Sequence, residues 1–456
     1  MINMLPEEVL LEVFDFYVDP TRRYDGVEAW CTLVHVCRKW RNIVFDSPLR
    51  LKLRIRCHPG IPVREKLDIW PALPVFLAQY DEDWQPTWGV ANVAAALEQN
   101  NRICHIALLD VPTSNMEEIL AAMHKSFPVL TELWLHSEDE TASVDPDSFL
   151  GGSIPCLQIL YLTHIPFPGL PNLLISATHL TNLQLFNLSN SGYISPEAMV
   201  SCFFALTRLE ILILAFESPE SFPITEHRPT PPSTRTLLPA LTELQFGGVS
   251  EYLEDLVVRI DAPLLDNLII HLFDQFIPDT PQLARFINRT PKLKAHNEAH
   301  VHFDGVELRL KLGEESEKGL RISYEVEDSR VSSLVQVCTS SLSLAFSATV
   351  ERLYICDNFS SWRGDIQVEN NHWLEFLGLF TSVKSLYLCR VIAPRIAPAF
   401  QELVGERVAG VLPALQTLYV EDLDLLRPLP EDIGLFVSRR QFSGHPVAVS
   451  HWDGWS

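Results

Sequence analysis

The sequence predicts an α/β protein in which a small all-α module is followed by an irregular solenoid of strand–helix units, with a β-hairpin inserted into the solenoid. Three observations lead to this prediction. Apolar residues recur at helical spacing at the start of the chain, a short apolar motif recurs along residues 103–425, and two segments near residues 300–327 alternate between apolar and polar residues. The chain has 456 residues, 47% of them hydrophobic, which is enough for a large core.

The first element is a helical module, which we place at residues 1–56. Pro6 suits the first position of a helix, and Glu7 and Glu8 then lie in the first turn, where negative charge suits the helix dipole. Apolar residues follow at helical spacing, and a second helical pattern leads up to Trp40. Because a module this short buries little apolar surface alone, we expect a partner or an adjoining domain to cover it.

The same stretch resembles the F-box, the helical module that docks a protein onto the Skp-type adaptor of a cullin–RING ubiquitin ligase. The Leu5-Pro6 pair, the Val36-Cys37-Arg38-Lys39-Trp40 stretch and Phe45-Asp46-Ser47-Pro48-Leu49 carry the resemblance, although the connector between the helices is longer and more charged than usual. The resemblance implies that the following residues contact the adaptor or shape the contacting face: Leu5, Pro6, Val9, Leu10, Val36, Cys37 and Trp40. The alternative is that they form only the core of a helical hairpin.

The second element is a repeat in which an apolar residue, two variable residues, an apolar residue, one variable residue and an apolar residue follow each other. The repeats begin at Ile103, Leu130, Leu157, Leu180, Leu209, Leu241, Leu265, Val350, Val383 and Leu415. Helical patterns lie between them, and proline precedes several of the strands, where it ends the previous element. Since one unit cannot bury its own apolar face, neighbouring units must stack on a shared core.

These repeats resemble degenerate leucine-rich repeats, and their position behind an F-box resembles the F-box/leucine-rich-repeat proteins common in fungi. The usual asparagine or cysteine of the repeat is missing, since residues such as Ile165 and Leu188 occupy its place. The resemblance implies a substrate-recognition subunit of a Skp–cullin–F-box ubiquitin ligase that catalyses nothing itself. The alternative from the same features is a leucine-rich-repeat scaffold for protein interactions without a role in a ligase.

The repeat is interrupted between Leu265 and Val350. There, Val301–Leu312 and Leu320–Val326 alternate like two paired strands, which predicts a β-hairpin insertion at about 300–327. Prolines crowd residues 217–236, which indicates an exposed loop that is either a docking or modification segment or a tolerated surface excursion. We take residues 57–102 as a joining region with capping repeats, and residues 426–456 as a second cap or a loose tail.

The outward-pointing strand positions are the candidate binding residues of the solenoid. Inward leucines alternate with outward residues, which cover a concave sheet, and aromatic side chains anchor many protein interfaces. The aromatic candidates for contact with a protein partner are Trp134, Tyr161, Phe186, Tyr354, Tyr387 and Tyr419. Aromatic residues also have high strand propensity, so either packing in the sheet or partner binding explains each one.

Charge and composition limit the other functions. The chain carries 35 Lys and Arg against 58 Asp and Glu, a formal net charge of −23, which disfavours nucleic acid as a ligand. The acid also serves solubility. No run reaches the roughly 18 apolar residues that a membrane-spanning helix needs, and the start of the chain lacks a signal-peptide pattern. We therefore expect an intracellular protein of the cytoplasm, the nucleus or both, whose nine cysteines are reduced.

Signals of catalysis are absent from the sequence. It contains no phosphate-binding loop, no Gly-x-Ser-x-Gly and no His-Glu-x-x-His, so we predict no enzymatic activity and no cofactor. On a strand, His296, Glu298, His300 and His302 would share one face, where they could hold zinc. The rival interpretations are a metal-dependent enzyme at this strand and a face that is merely solvated.

Overall fold

The computed structural model describes residues 5–17, 32–46, 53–55, 57, 63–69, 74–79, 89–145, 148–222, 234–273, 280–294, 296–304, 307–313, 318–325, 349–357, 370–405, 407–421 and 431–454. The chain divides into two compact units, unit 1 (Met1–Ile194) and unit 2 (Ser195–Ser456). Both have the predicted α/β architecture, in which helices connect the strands of a mostly parallel sheet. Among the described helices, none combines the length and the apolar character needed to cross a bilayer.

The strands are numbered along the chain. Their bounds are β1 Leu53–Ile55, β2 Val75–Gln79, β3 Ile103–Val111, β4 Glu132–Ser137, β5 Ile159–Thr163, β6 Asn182–Leu188, β7 Ile211–Phe216, β8 Thr236–Leu237, β9 Glu243–Gly248, β10 Ile260–Asp261, β11 Asn267–Leu272, β12 Glu298–Asp304, β13 Glu307–Leu312, β14 Leu320–Glu325, β15 Arg352–Asp357, β16 Ser385–Leu388, β17 Thr417–Glu421 and β18 Ala448–Trp452.

The helices are numbered in the same way. Their bounds are α1 Glu7–Tyr17, α2 Arg38–Asp46, α3 Val63–Ile69, α4 Val90–Leu97, α5 Thr113–Ala122, α6 Leu170–Leu174, α7 Pro196–Phe203, α8 Ser250–Val257, α9 Pro281–Arg289, α10 Asn370–Gly378, α11 Ala393–Gln401, α12 Arg407–Gly410 and α13 Glu431–Phe442. Residues 32–36 are also helical and end just before α2. Short 3₁₀ helices lie at Phe149–Gly152, Asn190–Gly192, Pro219–Ser221 and Pro291–Lys294.

Unit 1 begins with the helical module, whose described parts share one small core. Leu10 and Phe14 of α1 are fully buried against Leu33 and Val34 of the helical segment 32–36 and against Ile43 and Val44 of α2. Apolar residues at i and i+4 lie on the same face of a helix, which explains why Leu10 and Phe14 enter the core together. The connector between the two helical patterns lies outside the described residues.

The sheet of unit 1 contains β1 to β6 in chain order, and the pairs are parallel. The joining region therefore already has the strand–helix alternation of the repeats, because α3 lies between β1 and β2 and α4 between β2 and β3. Leucines of the repeat motif fill the interior: in β4, Leu133 and Leu135 are fully buried, whereas Trp134 and His136 are half-buried on the opposite face.

A threonine before the strand ties several repeats to the preceding one. The hydroxyls of Thr131, Thr181 and Thr242 donate to the carbonyl oxygens of Cys104, Gln158 and Glu210, respectively, at 2.8, 3.1 and 3.2 Å. The backbone N–H of each threonine donates to the same carbonyl. Each of these three contacts joins two successive repeats. They supply side-chain hydrogen bonds in a chain whose repeats lack the usual asparagine.

The main sheet of unit 2 is parallel except at its centre, and β8 and β10 form a separate parallel pair. Its strand order is β7, β9, β11, β14, β13, β12, β15, β16, β17, β18. The predicted C-terminal cap or tail folds onto the sheet, because Ile433 and Phe436 of α13 are buried and β18 pairs in parallel with β17. The predicted loop at 217–236 is described only at its two ends, since residues 223–233 lie outside the described residues.

The insertion at about 300–327 differs from the predicted hairpin because it has three strands. The segment predicted as one long strand is two antiparallel strands, with Asp304 of β12 paired to Glu307 of β13. β13 in turn pairs antiparallel with β14, while β14 and β12 pair in parallel with β11 and β15. Asp304-Gly305 is a strong sequence signal for a hairpin turn, and the apolar alternation shifts by one residue there, from Val301 and Phe303 to Leu308 and Leu310. The insertion thus continues the sheet.

Candidate functional site

The N-terminal module leaves apolar side chains exposed on the outside of its core. Val9 and Val13 lie one turn apart on α1 and are 42% and 47% exposed, and Val36 in the helical segment 32–36 is 54% exposed. Among the described residues of the module, these three valines are the apolar side chains that lie on its outside.

Trp40 links the core of the module to its surface. Its ring lies 4.7 Å from the ring of Phe14, measured between centroids, and the side chain is half-buried. Cys37 stands between the helical segment 32–36 and α2, where its Sγ accepts a hydrogen bond from the backbone N–H of Trp40 at 3.5 Å. Lys39 Nζ donates to the carbonyl oxygen of Leu5 at 3.2 Å, which ties the start of the chain to α2.

The seven residues predicted to contact an adaptor therefore occupy different environments. Leu10 is fully buried, Leu5, Cys37 and Trp40 are half-buried, and Pro6, Val9 and Val36 are exposed. Their role in binding remains a prediction. Val13, which the sequence analysis did not single out as a contact residue, is exposed beside Val9, and the i, i+4 spacing of the two valines is the sequence signal for this second apolar face of α1.

The three predicted aromatic residues of unit 1 form one continuous row on the open face of its sheet. Trp134 stacks on Tyr161 with centroids 5.1 Å apart and an interplanar angle of 24°, and Tyr161 lies 5.3 Å from Phe186. The parallel register explains both contacts. Trp134 of β4 pairs with Tyr161 of β5, and Phe186 of β6 pairs with Thr163, which lies two residues after Tyr161 on the same strand. We call Trp134, Tyr161 and Phe186 the unit 1 aromatic row.

Polar side chains border the unit 1 aromatic row at the carboxyl end of the strands. Asp110 has a φ of 56°, in the left-handed region, and its Oδ1 lies 2.9 Å from Nδ1 of His136. Glu140 accepts hydrogen bonds from the hydroxyls of Ser189, at 2.6 Å, and Ser191. These two hydrogen bonds lower the pKa of the Glu140 carboxyl below its usual value, so the group is ionised at neutral pH.

The three predicted tyrosines of unit 2 also form a continuous row. Tyr354 stacks on Tyr387 with centroids 4.1 Å apart, and Tyr387 stacks on Tyr419 at 4.3 Å. His300 of β12 extends the row, 4.5 Å from Tyr354, and Trp452 of β18 lies 5.6 Å from Tyr387. Burial is the main cause that raises the pKa of Tyr354 and of Tyr387 above the usual tyrosine value, so both hydroxyls stay protonated at neutral pH.

The histidine strand has the predicted common face, because Glu298, His300 and His302 alternate along β12. All three are buried, Glu298 forms an ion pair with Arg352, and its Oε2 lies 3.4 Å from Nε2 of His300. Among the described residues, no group of three or more His, Cys, Asp or Glu side chains is arranged to hold a metal ion. Ion pairing and stacking are therefore the observed roles of Glu298 and His300.

Comparison with known proteins identifies the start of the chain most clearly. Residues 2–56 match the family model described as F-box-like. Among solved structures, the leucine-rich repeat-containing protein LegL7 from Legionella pneumophila aligns over 86% of this chain and 98% of its own, with 13% sequence identity and a TM-score of 0.27. No curated protein matches the chain. The N-terminal part of this α/β protein is thus an F-box-like domain.

Proposed function

We propose that this protein is a substrate-recognition subunit of a Skp–cullin–F-box ubiquitin ligase. The observation that carries the proposal is the F-box-like match of residues 2–56, the same residues whose helices leave Val9, Val13 and Val36 exposed. An adaptor of the Skp type would cover these valines. Removing apolar surface from water favours association, at about 25 cal/mol for each Å² buried.

The sheets supply the other half of the function. Their stacked aromatic side chains present large, rigid surfaces of the kind that anchor protein interfaces. In this role the protein performs no chemistry. It binds the adaptor with one part and a protein substrate with another, and so raises the effective concentration of substrate near the catalytic subunits of the ligase. We place this activity in the cytoplasm, the nucleus or both.

The alternative function is a repeat scaffold that binds proteins without a ligase. The same aromatic rows support it, whereas the F-box-like match favours the ligase. The two functions predict different results when the full-length chain is co-expressed with a Skp-type adaptor and a cullin and the mixture is separated by size. The ligase subunit elutes as a stoichiometric complex with both proteins. A scaffold elutes without the adaptor, and this result would refute our proposal.

A further inference from the structure

The unit 1 aromatic row has an electrostatic environment that differs from that of the tyrosine row in unit 2. The described strands β2 to β6 contain no Lys or Arg, and two carboxylates, Asp110 and Glu132, lie on β3 and β4. Three more, Glu138, Asp139 and Glu140, follow β4 directly and are exposed. In unit 2, by contrast, Arg309, Lys311, Arg321 and Arg352 lie on the strands β13, β14 and β15.

The register of unit 1 places Asp110 and Glu140 at the carboxyl end of the strands that carry the aromatic row. Ala107 of β3 pairs with Trp134 of β4, so Asp110, near the carboxyl end of β3, lies beside β4. The carboxylate of Asp110 is held against His136, the next outward residue after Trp134, yet 74% of its side chain remains exposed. Glu140 is fixed by Ser189 and Ser191, which directly follow β6 and Phe186.

We propose that this face of unit 1 binds a basic, arginine-containing segment of a partner protein. A guanidinium group stacks on aromatic rings and forms paired hydrogen bonds with carboxylates, so one arginine side chain can satisfy both parts of the surface. Phosphate-bearing ligands are repelled by the same carboxylates. The inference deepens the proposed function, because it names the chemical class of the segment that would be recognised. It rests on the proposed function only in calling the partner protein a substrate of the ligase.

The site needs both of its parts. The rings alone would accept any apolar or aromatic segment, and the carboxylates alone would attract any cation from solution. Trp134 stacks on Tyr161 at 5.1 Å and Phe186 lies tilted against Tyr161 at 5.3 Å, so an arginine would stack on a ring face at the end of the row rather than between the rings. The ionised Glu140 lies where the loop after β4 meets the loop after β6. Together they favour arginine over lysine, because the planar guanidinium stacks on a ring while the ammonium group does not.

Fluorescence anisotropy tests the proposal with the full-length chain bound to its Skp-type adaptor. The probes are a labelled peptide of alternating Gly and Arg residues and matched peptides in which Lys or Glu replaces each Arg. We expect the arginine peptide to bind at physiological ionic strength, the lysine peptide to bind more weakly, and the glutamate peptide not to bind. Equal binding of all three peptides, or no binding of the arginine peptide, would overturn the proposal.

Two pairs of variants place the binding on unit 1. Trp134→Ala should weaken binding of the arginine peptide by about tenfold or more, whereas Phe442→Ala, which removes an exposed ring of α13 that belongs to neither aromatic row, should leave it unchanged. A triple variant that combines Glu138→Gln, Asp139→Gln and Glu140→Gln should weaken binding of the arginine peptide. A second triple variant, which removes three exposed carboxylates on helices by combining Glu118→Gln, Glu375→Gln and Glu431→Gln, should weaken it less.

If Trp134→Ala fails to fold, the triple variant at residues 138–140 still tests the proposal, because these exposed loop carboxylates are not needed for the core. Equal losses in the two triple variants would mean that the net charge of −23 attracts the peptide without a specific site, and would overturn the proposal. Retention of the adaptor is measured in every variant. If the adaptor stays bound while the arginine peptide fails to bind, the inference is wrong and the proposed ligase function still stands.

Discussion

Arg440 donates a hydrogen bond from Nη1 to the carbonyl oxygen of Val408 at 3.0 Å, and both residues are buried. Nη2 of the same side chain donates to the carbonyl oxygens of Leu412 and Leu415 at 3.4 and 3.3 Å. Burial lowers the pKa of this guanidinium, but the ordinary arginine pKa is so high that the group stays charged. Arg440 therefore fastens α13 to α12 and to the segment between α12 and β17.

Replacing Arg440 with methionine should destabilise the C-terminal repeats by about 1–3 kcal/mol, because it removes three hydrogen bonds to carbonyl groups of buried residues. Hydrogen exchange at residues 407–421 and 431–442 measures the effect locally, which matters because repeat proteins often unfold in stages. Arg439→Met is the control; it removes hydrogen bonds to the carbonyl oxygens of Gln401 and Leu403 and should cost less, since that side chain is only half-buried. Equal exchange in the two variants would contradict this role.

Trp40→Ala should destabilise the helical module itself. The ring packs on Phe14 within the core cluster, so its removal leaves a cavity and should cost about 1–3 kcal/mol, less than for a fully buried tryptophan. The measurement is hydrogen exchange at residues 7–17 and 32–46 in the absence of adaptor. Val36→Ala, at an exposed position, should change exchange there very little. If Trp40→Ala leaves the exchange of α1 unchanged, the packing described here is wrong.

Cysteine modification should follow burial. Burial raises the pKa of the Cys57 and Cys202 thiols to about 12, so almost no thiolate is present at pH 8 and neither residue should react with iodoacetamide in the folded protein. Cys156 is exposed and should react first. Peptide mapping by mass spectrometry gives the order of modification, and urea supplies the positive control because it should make all three react. Rapid native labelling of Cys202 would contradict the burial of α7.

The threonine contacts between repeats should each contribute a small amount. Thr131→Val removes the hydroxyl that donates to the carbonyl of Cys104 and should cost about 0.5–1.5 kcal/mol in the free energy of unfolding of unit 1. Thr131→Ser keeps the hydroxyl and is the matched control. Urea titration of both variants, followed by circular dichroism, compares them. A serine variant as unstable as the valine variant would assign the effect to the lost methyl packing.

Much of the fold follows from the repeat motif, for a simple physical reason. Leucines such as Leu133 and Leu135 are spaced two residues apart on a strand and must share one face, so the sequence alone predicts which side of each strand is buried. The same alternation predicts the stacked rows, because parallel strands in register place Tyr354, Tyr387 and Tyr419 side by side.

The boundary between β12 and β13 was signalled in the sequence, because the apolar alternation changes phase between Phe303 and Leu308, but the prediction of one long strand did not use this signal. Other features depend on contacts that one sequence does not reveal. Helical spacing shows that α1 has apolar residues on two sides, but only the packed module shows that Leu10 enters the core while Val9 stays outside. Trp452 joins the tyrosine row through the pairing of β18 with β17, a contact whose register no pattern in the last residues of the chain indicates.

The central claim is that the exposed valines of the F-box-like domain bind a Skp-type adaptor, and isothermal titration of the full-length chain with purified adaptor tests it most directly. We expect stoichiometric binding that is weakened about tenfold or more by combining Val9→Glu with Val36→Glu, because burying an unpaired carboxylate is costly. Val404→Glu, at a valine of unit 2 that is 57% exposed, should bind the adaptor as the original chain does. Absence of binding by the original chain, or equal affinity of the double variant and the Val404→Glu control, would contradict the claim.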